Sequence, residues 1–382
     1  MTPPGQLIWI DKPDQLDCLV KNLLNERWVA VDTESDSLYS YFEKVCLVQF
    51  STSRADYLVD PLKADISSLA SFFADESIQK IFHAAEYDLI SLKRDYNFRF
   101  NNLFDTMLAA RILGWSHYGL GALLDQWFNI KLNKRFQRYN WGERPLSQEA
   151  LAYARLDTHY LLPLREIQLN QLKQHNRLQE AMEAFERETH VEPTPKIFNP
   201  DDFWRIKGSK DLEPQQQAVL RELFVLRDKI ARRINRPPFK IINNSVLLQL
   251  AKEQPQNDED LRHTKGIGGK LLQHNAHDIL KSIQVGQTVP PPHHLRHTHR
   301  PDEEIINRYE TLRQWRNNLA VERGVEPDVI INNNALMDIA RHNPKTLANL
   351  TKIGVLGDWQ CKTYGRTLLK VLKGTAHSYH QN

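Results

Sequence analysis

The sequence predicts an α/β domain built on one mixed sheet flanked by helices, followed by two small all-helical domains. Three observations carry this. Short apolar runs of strand character give way to helical periodicity across residues 14–186. A stretch with three prolines and little periodicity, HVEPTPKIFNPDDFW at 190–204, marks a boundary. Beyond it the chain repeats itself at an offset of 89 residues.

The elements follow in order. Residues 14–26 place Leu16, Leu19, Val20, Leu23 and Leu24 on one helical face. WVAVD (28–32), VCLVQFS (45–51), ADYLVD (55–60) and QKIF (79–82) are short bounded apolar runs and read as strands. Helical periodicity then covers 86–95, 104–113, 119–128, 147–157 and 160–186. The repeat pairs PPFKIINNSVLLQLA (237–251) with EPDVIINNNALMDIA (326–340), and 12 of the 39 positions from Leu223 to Leu261 are identical to their counterparts. Its period exceeds the ~20–50 residues of a solenoid unit, so it is a duplicated domain. In both copies IINN stands just before an apolar helical run, where Asn243/Asn244 and Asn332/Asn333 are placed to cap it. Each copy ends in a Gly-containing turn before a last helix, in TKGIGGKLL and TKIGVLGDWQ. Between the copies, GQTVPPPHHLRHTHRP (286–301) reads as a semi-rigid spacer; its four histidines lack partner ligands at metal-binding spacing. The expected domains are 1–195, 207–288 and 298–377.

The composition, 41% hydrophobic and 25% charged, is that of a soluble globular protein. No apolar run approaches the ~20 residues of a membrane span, and the N-terminus lacks the order of a secretory signal. Three scattered cysteines exclude a disulfide framework, so a cytoplasmic protein with no membrane association is expected. No feature calls for an obligate protein partner. Net charge is +3, but residues 1–204 carry −7 and residues 205–382 carry +10. A basic module suits a polyanion and an acidic one suits cations. Within the basic part, KIARRINRPPFK (229–240) concentrates five cationic side chains.

Chemistry enters at WVAVDTESDSL (28–38). Side chains of a strand alternate between faces, so Asp32 and Glu34 project side by side from the end of a buried run. Two carboxylates this close repel, and a divalent cation is one group that would hold them. Asp88 opens the helix of HAAEYDL, either as a cap or as a further acid, and Asp105 stands at the N-cap of the next helix. Tyr153 and Asp157 lie i, i+4 on a helical face otherwise lined by Ala150, Ala154 and Leu161, so both need partners if buried.

A DxE pair on a strand, then Asp88, then YxxxD on a helix resembles the DEDD superfamily of 3′–5′ exonucleases in its tyrosine-containing branch. KVCLVQFS, YLVDPL, HAAEYDL, DTMLAARILG, RPLS and YARLDTHYLLPL are similar to the bacterial ribonuclease D family, and the duplicated unit resembles the HRDC (helicase and ribonuclease D, C-terminal) domain. Asn140 stands where the family pattern has Asp, and Ala85 where Gly is common.

The resemblance implies a ribonuclease H-like first domain and two HRDC-like domains. It implies two divalent ions, Mg²⁺ or Mn²⁺, held by Asp32, Glu34, Asp88 and Asp157. Asp32 would bridge, Glu34 and Asp157 would serve the water-activating ion, and Asp88 the second. Tyr153 would orient the attacking water. The implied activity is 3′–5′ exoribonucleolytic release of 5′-mononucleotides from RNA with a free 3′ end, such as a tRNA precursor or other small structured RNA. A DNA exonuclease with the same site and an inactive RNA-binding protein are the alternatives. Substrate-binding candidates are Leu38, as an apolar wedge or an ordinary loop leucine, and His83, as a substrate contact or a strand-end cap. Trp141 beside Arg138 and Arg144 completes the set, as a stacking platform with a phosphate-binding pair or as packing.

Overall fold

The structure, a computed structural model, describes residues 5–293 and 302–377, apart from the side chains of 270–272 and 375–377. Three of the four histidines of the expected spacer lie in 294–301, outside the described residues. The chain divides into two compact units. The first comprises 1–34, 45–193 and 299–382, and the second 35–44 and 194–298.

The first unit is built on six strands: β1 (Gln6–Ile10), β2 (Trp28–Ser35), β3 (Val45–Ser51), β4 (Ala55–Val59), β5 (Gln79–Phe82) and β6 (Leu103–Asp105). They form one mixed sheet in the order β1-β4-β3-β2-β5-β6. β1 runs parallel to β4, β4 antiparallel to β3, and β2, β5 and β6 run parallel to one another. β3 and β5 are buried at every residue, as expected of strands covered on both faces.

Eight helices accompany the sheet: α1 (Pro13–Leu23), α2 (Ala70–Ala74), α3 (Glu86–Tyr96), α4 (Thr106–Leu113), α5 (Leu120–Phe128), α6 (Gln148–His159), α7 (Leu161–Gln174) and α8 (Leu178–Thr189). α1 buries Leu16, Leu19 and Leu23, each worth about 1.5–3 kcal/mol against exposure. The sequence pattern missed β1 and β6. β6 has three residues, too few to show alternation, and it leads directly into the cap of α4. The single helix expected over 160–186 is two, because Asn176 adopts a left-handed conformation (φ 56°) between α7 and α8.

The second unit contains α9 (Pro214–Arg233), α10 (Pro238–Ile241), α11 (Asn244–Glu253), α12 (Asp258–His263) and α13 (Gly269–Thr288). Its core begins before the expected boundary: Phe203 and Ile206 pack with Leu220, Leu223 and Leu247. Segment 35–44 belongs to this unit, with the Tyr41 hydroxyl donating to Asp228 (2.6 Å) and the Phe42 N–H to Asn235 (3.0 Å).

The second copy, α14 (Glu303–Arg323), α15 (Pro327–Ile330), α16 (Asn333–His342), α17 (Leu347–Ile353) and α18 (Asp358–His377), belongs to the first unit. There it docks on α8. Arg323 forks onto Glu180 (3.0 and 2.5 Å), and Glu183 accepts the Trp359 and Gln360 N–H groups at the start of α18. A Cβ at Gly357 would lie 2.1 Å from the Glu183 carboxyl carbon, so any other residue there would push this carboxylate away from the α18 N–H groups.

The IINN repeat has the same structural meaning in both copies. Asn243 and Asn332 accept from Val246 and Ala335 N–H and cap α11 and α16. Asn244 and Asn333 do not cap. Each accepts from a buried arginine of the preceding long helix, Arg227 or Arg316 (2.8 Å in both), which also reaches the Ile242 or Ile331 carbonyl.

Candidate active site

β2 delivers Asp32 and Glu34 to one face, and α6 brings Asp157 against them. One oxygen from each of the three carboxylates lies within 4.8 Å of the others. Asp88 stands just outside this triad. It is not a cap: the N-cap position of α3 is Ala85, and the Asp88 carboxylate turns to β2. There its Oδ1 accepts from the Thr33 N–H (3.0 Å) and the Thr33 hydroxyl (2.5 Å). Asp105 is the structural acid: its carboxylate accepts from Met107, Leu108 and Ala85 N–H groups, capping α4 and holding the turn into α3.

The four site carboxylates are held well above the ordinary acid range. Burial is the first cause for each, and mutual repulsion is the second: Asp157 acts on Asp32, Asp32 on Glu34 and Asp88, and Asp88 on Asp157. No lysine or arginine pairs with any of them among the described residues. Asp88 and Asp157 are buried, Asp32 and Glu34 half-buried at the cleft floor, and an all-oxygen, uncompensated acidic cluster of this kind is the donor set of a hard divalent cation. The residues present therefore fit the implied metal.

Tyr153 lies one helical turn before Asp157, packed against Phe136 (5.3 Å) and Trp141 (6.3 Å). Burial and then Asp157, Glu34 and Asp32 push its phenol far up, so it is a donor and not a base at neutral pH. α6 is held to the sheet through Asp56 on β4. That carboxylate accepts from Arg155 (2.5 Å) and Ser51 (2.6 Å) and pairs with His159 (2.9 Å). Burial raises the Asp56 pKa, but the hydrogen bonds from His159, Ser51 and Arg155 outweigh it and the group lies below its usual value.

A cleft of about 920 Å³ opens over these groups, lined by Asp32, Glu34, Asp157, Tyr153 and His83 and, across from them, by residues 119–137. His83 follows β5. Burial lowers its pKa to about 4, so the ring is neutral. The Thr106 hydroxyl spends its proton on the Phe82 carbonyl (3.0 Å), so His83 Nδ1, 2.9 Å from Thr106 Oγ1, is the donor to that hydroxyl oxygen. Nε2 is left as an acceptor.

Two expected substrate contacts are corrected. Trp141 is 2% exposed and packs with Tyr139 and Tyr153, so no base can stack on it. Arg144 spends all five N–H donors inside the fold, on Asp60 and on the Trp141, Glu143 and Cys46 carbonyls. Both brace the wall behind Tyr153. Arg138 is exposed at the end of the 3₁₀ turn Lys134–Arg138, and Leu38 is exposed in segment 35–44. Sequence reasoning missed Lys131, Lys134 and Gln137, which line the cleft from the loop before the 3₁₀ turn and from the turn itself, with no motif to signal them. It also missed Gln49, hidden in the apolar run of β3, whose Nε2 donates to Asp32 (3.2 Å).

Residues 7–173 match the 3′–5′ exonuclease family, and residues 216–283 and 306–372 each match the HRDC domain. The chain is 33% identical over 300 residues to the exosome complex exonuclease RRP6 of Saccharomyces cerevisiae, which covers 72% of this chain and 41% of that protein. It is 26% identical over 388 residues to ribonuclease D of Bartonella henselae, covering 98% of this chain and 92% of the relative. The crystal structure of the catalytic core of RRP6 from Trypanosoma brucei superposes with a TM-score of 0.70 at 30% identity, over 74% of this chain and 80% of that one. The chain thus spans about a third to two fifths of the length of the exosome relatives it matches. A mixed-sheet nuclease domain with an acidic triad and tyrosine in an open cleft, extended by two HRDC domains, places this chain in the ribonuclease D family of 3′–5′ exonucleases.

Proposed function

We propose that the chain is a metal-dependent 3′–5′ exoribonuclease that releases nucleoside 5′-monophosphates from RNA with a free 3′ end. The observation that carries this is the convergence of Asp32, Glu34 and Asp157 oxygens within 4.8 Å on the floor of an open cleft. The names of the relatives support RNA as the substrate class. Asp32, Glu34 and Asp157 would hold divalent cations, Mg²⁺ or Mn²⁺, two per site, with Asp88 contributing from the outer edge. Such cations, when bound, lower the pKa of water and offset charge at the phosphate. Tyr153, kept protonated, would donate a hydrogen bond that orients the attacking water. His83 would offer Nε2 to a donor on the terminal nucleotide. Lys131 and Lys134 would meet backbone phosphates at the cleft wall, and Arg138, at the end of the same 3₁₀ turn as Lys134, would add a further phosphate contact; Leu38 is offered separately as an apolar RNA contact of its own unit.

The basic run 229–240 supports a phosphate-tracking role for the first helical domain. We take 1–195 without 35–44, a first helical domain that starts before Phe203 and runs to 288, and 298–377 as working domain limits, and a precursor tRNA or other small structured RNA as the substrate, acting without an obligate protein partner. Cys18, Cys46 and Cys361 form no disulfide among the described residues, which is compatible with the reducing cytoplasm, where we place the chain.

The test is 5′-labelled single-stranded RNA and matching DNA incubated with Mg²⁺, Mn²⁺ or chelator. The expected result is a metal-dependent ladder shortening from the 3′ end, faster on RNA. Equal or faster loss of DNA would assign a DNA exonuclease instead. RNA bound intact under both metals would assign a binding protein.

A further inference from the structure

Gln49 sits in the middle of β3, fully buried, in a strand whose neighbouring residues Leu47, Val48 and Phe50 are apolar. A buried primary amide carries two donors and an acceptor oxygen that all need partners. Here Nε2 donates to Asp32 Oδ2 at 3.2 Å, while Oε1 is buried without a partner. Leaving a buried acceptor unsatisfied costs about 1–3 kcal/mol, and an apolar residue of the same length would avoid it. The fold alone gives no reason for the amide, whereas its one bond goes to Asp32, a member of the acidic triad.

We propose that Gln49 is a positioning residue that fixes the Asp32 carboxylate for divalent-cation binding. This rests on the exonuclease reading above. The chemistry of the group explains the choice. A lysine or arginine at this place would neutralise Asp32 and compete with the cation. A carboxylate would add to the repulsion already present. A neutral N–H donor ties down one carboxylate oxygen without taking its charge. The orientation of the amide is set by the same argument, because its oxygen turned towards Asp32 would repel it.

Outer partners of metal ligands commonly change metal affinity or activity by about 10–100-fold when removed. The experiment compares wild type, Gln49→Met and Gln49→Asn, reading Mn²⁺ affinity by calorimetry without RNA, thermal stability in chelator, and RNA shortening as a function of Mn²⁺. Both variants should weaken Mn²⁺ binding about 10-fold or more and raise the Mn²⁺ needed for half-maximal cleavage by the same factor. Gln49→Met should melt no lower than wild type in chelator, because the orphaned acceptor is gone. A glutamine that served packing alone would show the reverse, a lower melting temperature with metal affinity within twofold of wild type, and that would overturn the proposal. Should Gln49→Met fail to fold, Gln49→Asn, which keeps an amide but cannot reach Asp32, decides by the same Mn²⁺ reading. A wild type that binds Mn²⁺ but leaves RNA intact would overturn the exonuclease reading alone, since the Mn²⁺ comparison still stands.

Discussion

Asp32 shows how the same group can weaken a fold and equip a site. With no cation nearby, its carboxyl is raised by burial and by Asp157, and so are its neighbours. A carboxyl raised in the folded state contributes stability that is fully present below its unfolded pKa of about 4 and is lost as pH rises through the folded value. In chelator, therefore, the triad penalises the fold most at high pH. Asp32→Asn should raise the melting temperature of the metal-free protein by a few degrees, for about 1–2 kcal/mol of repulsion relieved, with a larger gain at pH 8 than at pH 6. Added Mn²⁺ should stabilise the wild type more at pH 8 than at pH 6, because it takes the place of protons. Differential scanning fluorimetry across pH, with and without metal, checks both. Tyr153→Phe separates orientation from binding: RNA cleavage should fall about 10²-fold or more while Mn²⁺ affinity stays put, as single-turnover assays and calorimetry would show. At this scale the sequence was informative wherever a residue had a motif around it. Asp88, which locally resembles a helix cap, was added by the order of motifs that carries the family resemblance, while Asp32 with Glu34 and Tyr153 with Asp157 stood out by spacing. Gln49 did not, because one amide in an apolar strand looks like any interior polar residue until its partner across the sheet is seen. Trp141 and Arg144 misled for the opposite reason: an aromatic beside arginines has the composition of a nucleic-acid surface whether it faces out or in.

Among the elements, α6 carries most of the positioning. It holds Tyr153 and Asp157 and is anchored at Asp56, where Arg155 (3% exposed) and His159 converge. Asp56→Ala would leave the Arg155 charge buried without its partner and should cost about 3–5 kcal/mol in chemical denaturation. The same variant should lose RNA cleavage under conditions where it remains folded, since the helix bearing two site residues is no longer tied to β4. The helices and central strands were legible from periodicity and caps. β1 and β6 were not: an edge strand and a three-residue strand owe their existence to the neighbour they pair with, which a local pattern does not contain. The break between α7 and α8 turns on one asparagine taking a left-handed conformation, a tertiary choice that its sequence neighbourhood leaves open.

Over the whole molecule, the duplication visible in the sequence is a duplication of internal wiring. The Arg227–Asn244 and Arg316–Asn333 bonds are the same joint built twice. What the repeat could not reveal is that the second copy shares a compact unit with the nuclease domain. That docking rests on two acidic residues of α8, Glu180 and Glu183, which carry no pattern of their own. Arg323→Ala would strand Glu180, 6% exposed, and should destabilise this unit by about 3–5 kcal/mol in a denaturant titration. The charge divides along the chain, −7 before residue 205 and +10 after it, as the proposed cation-dependent nuclease with a phosphate-tracking extension requires. Whether the two work as one enzyme turns on the bond that is cut. The most direct test is the chemical identity of what leaves uniformly labelled RNA in Mg²⁺, resolved by chromatography, for wild type beside Asp32→Asn. Nucleoside 5′-monophosphates from the wild type, and none from Asp32→Asn, are the expected result. Oligonucleotides or 3′-monophosphates as the first products, or undiminished release by Asp32→Asn, would contradict it.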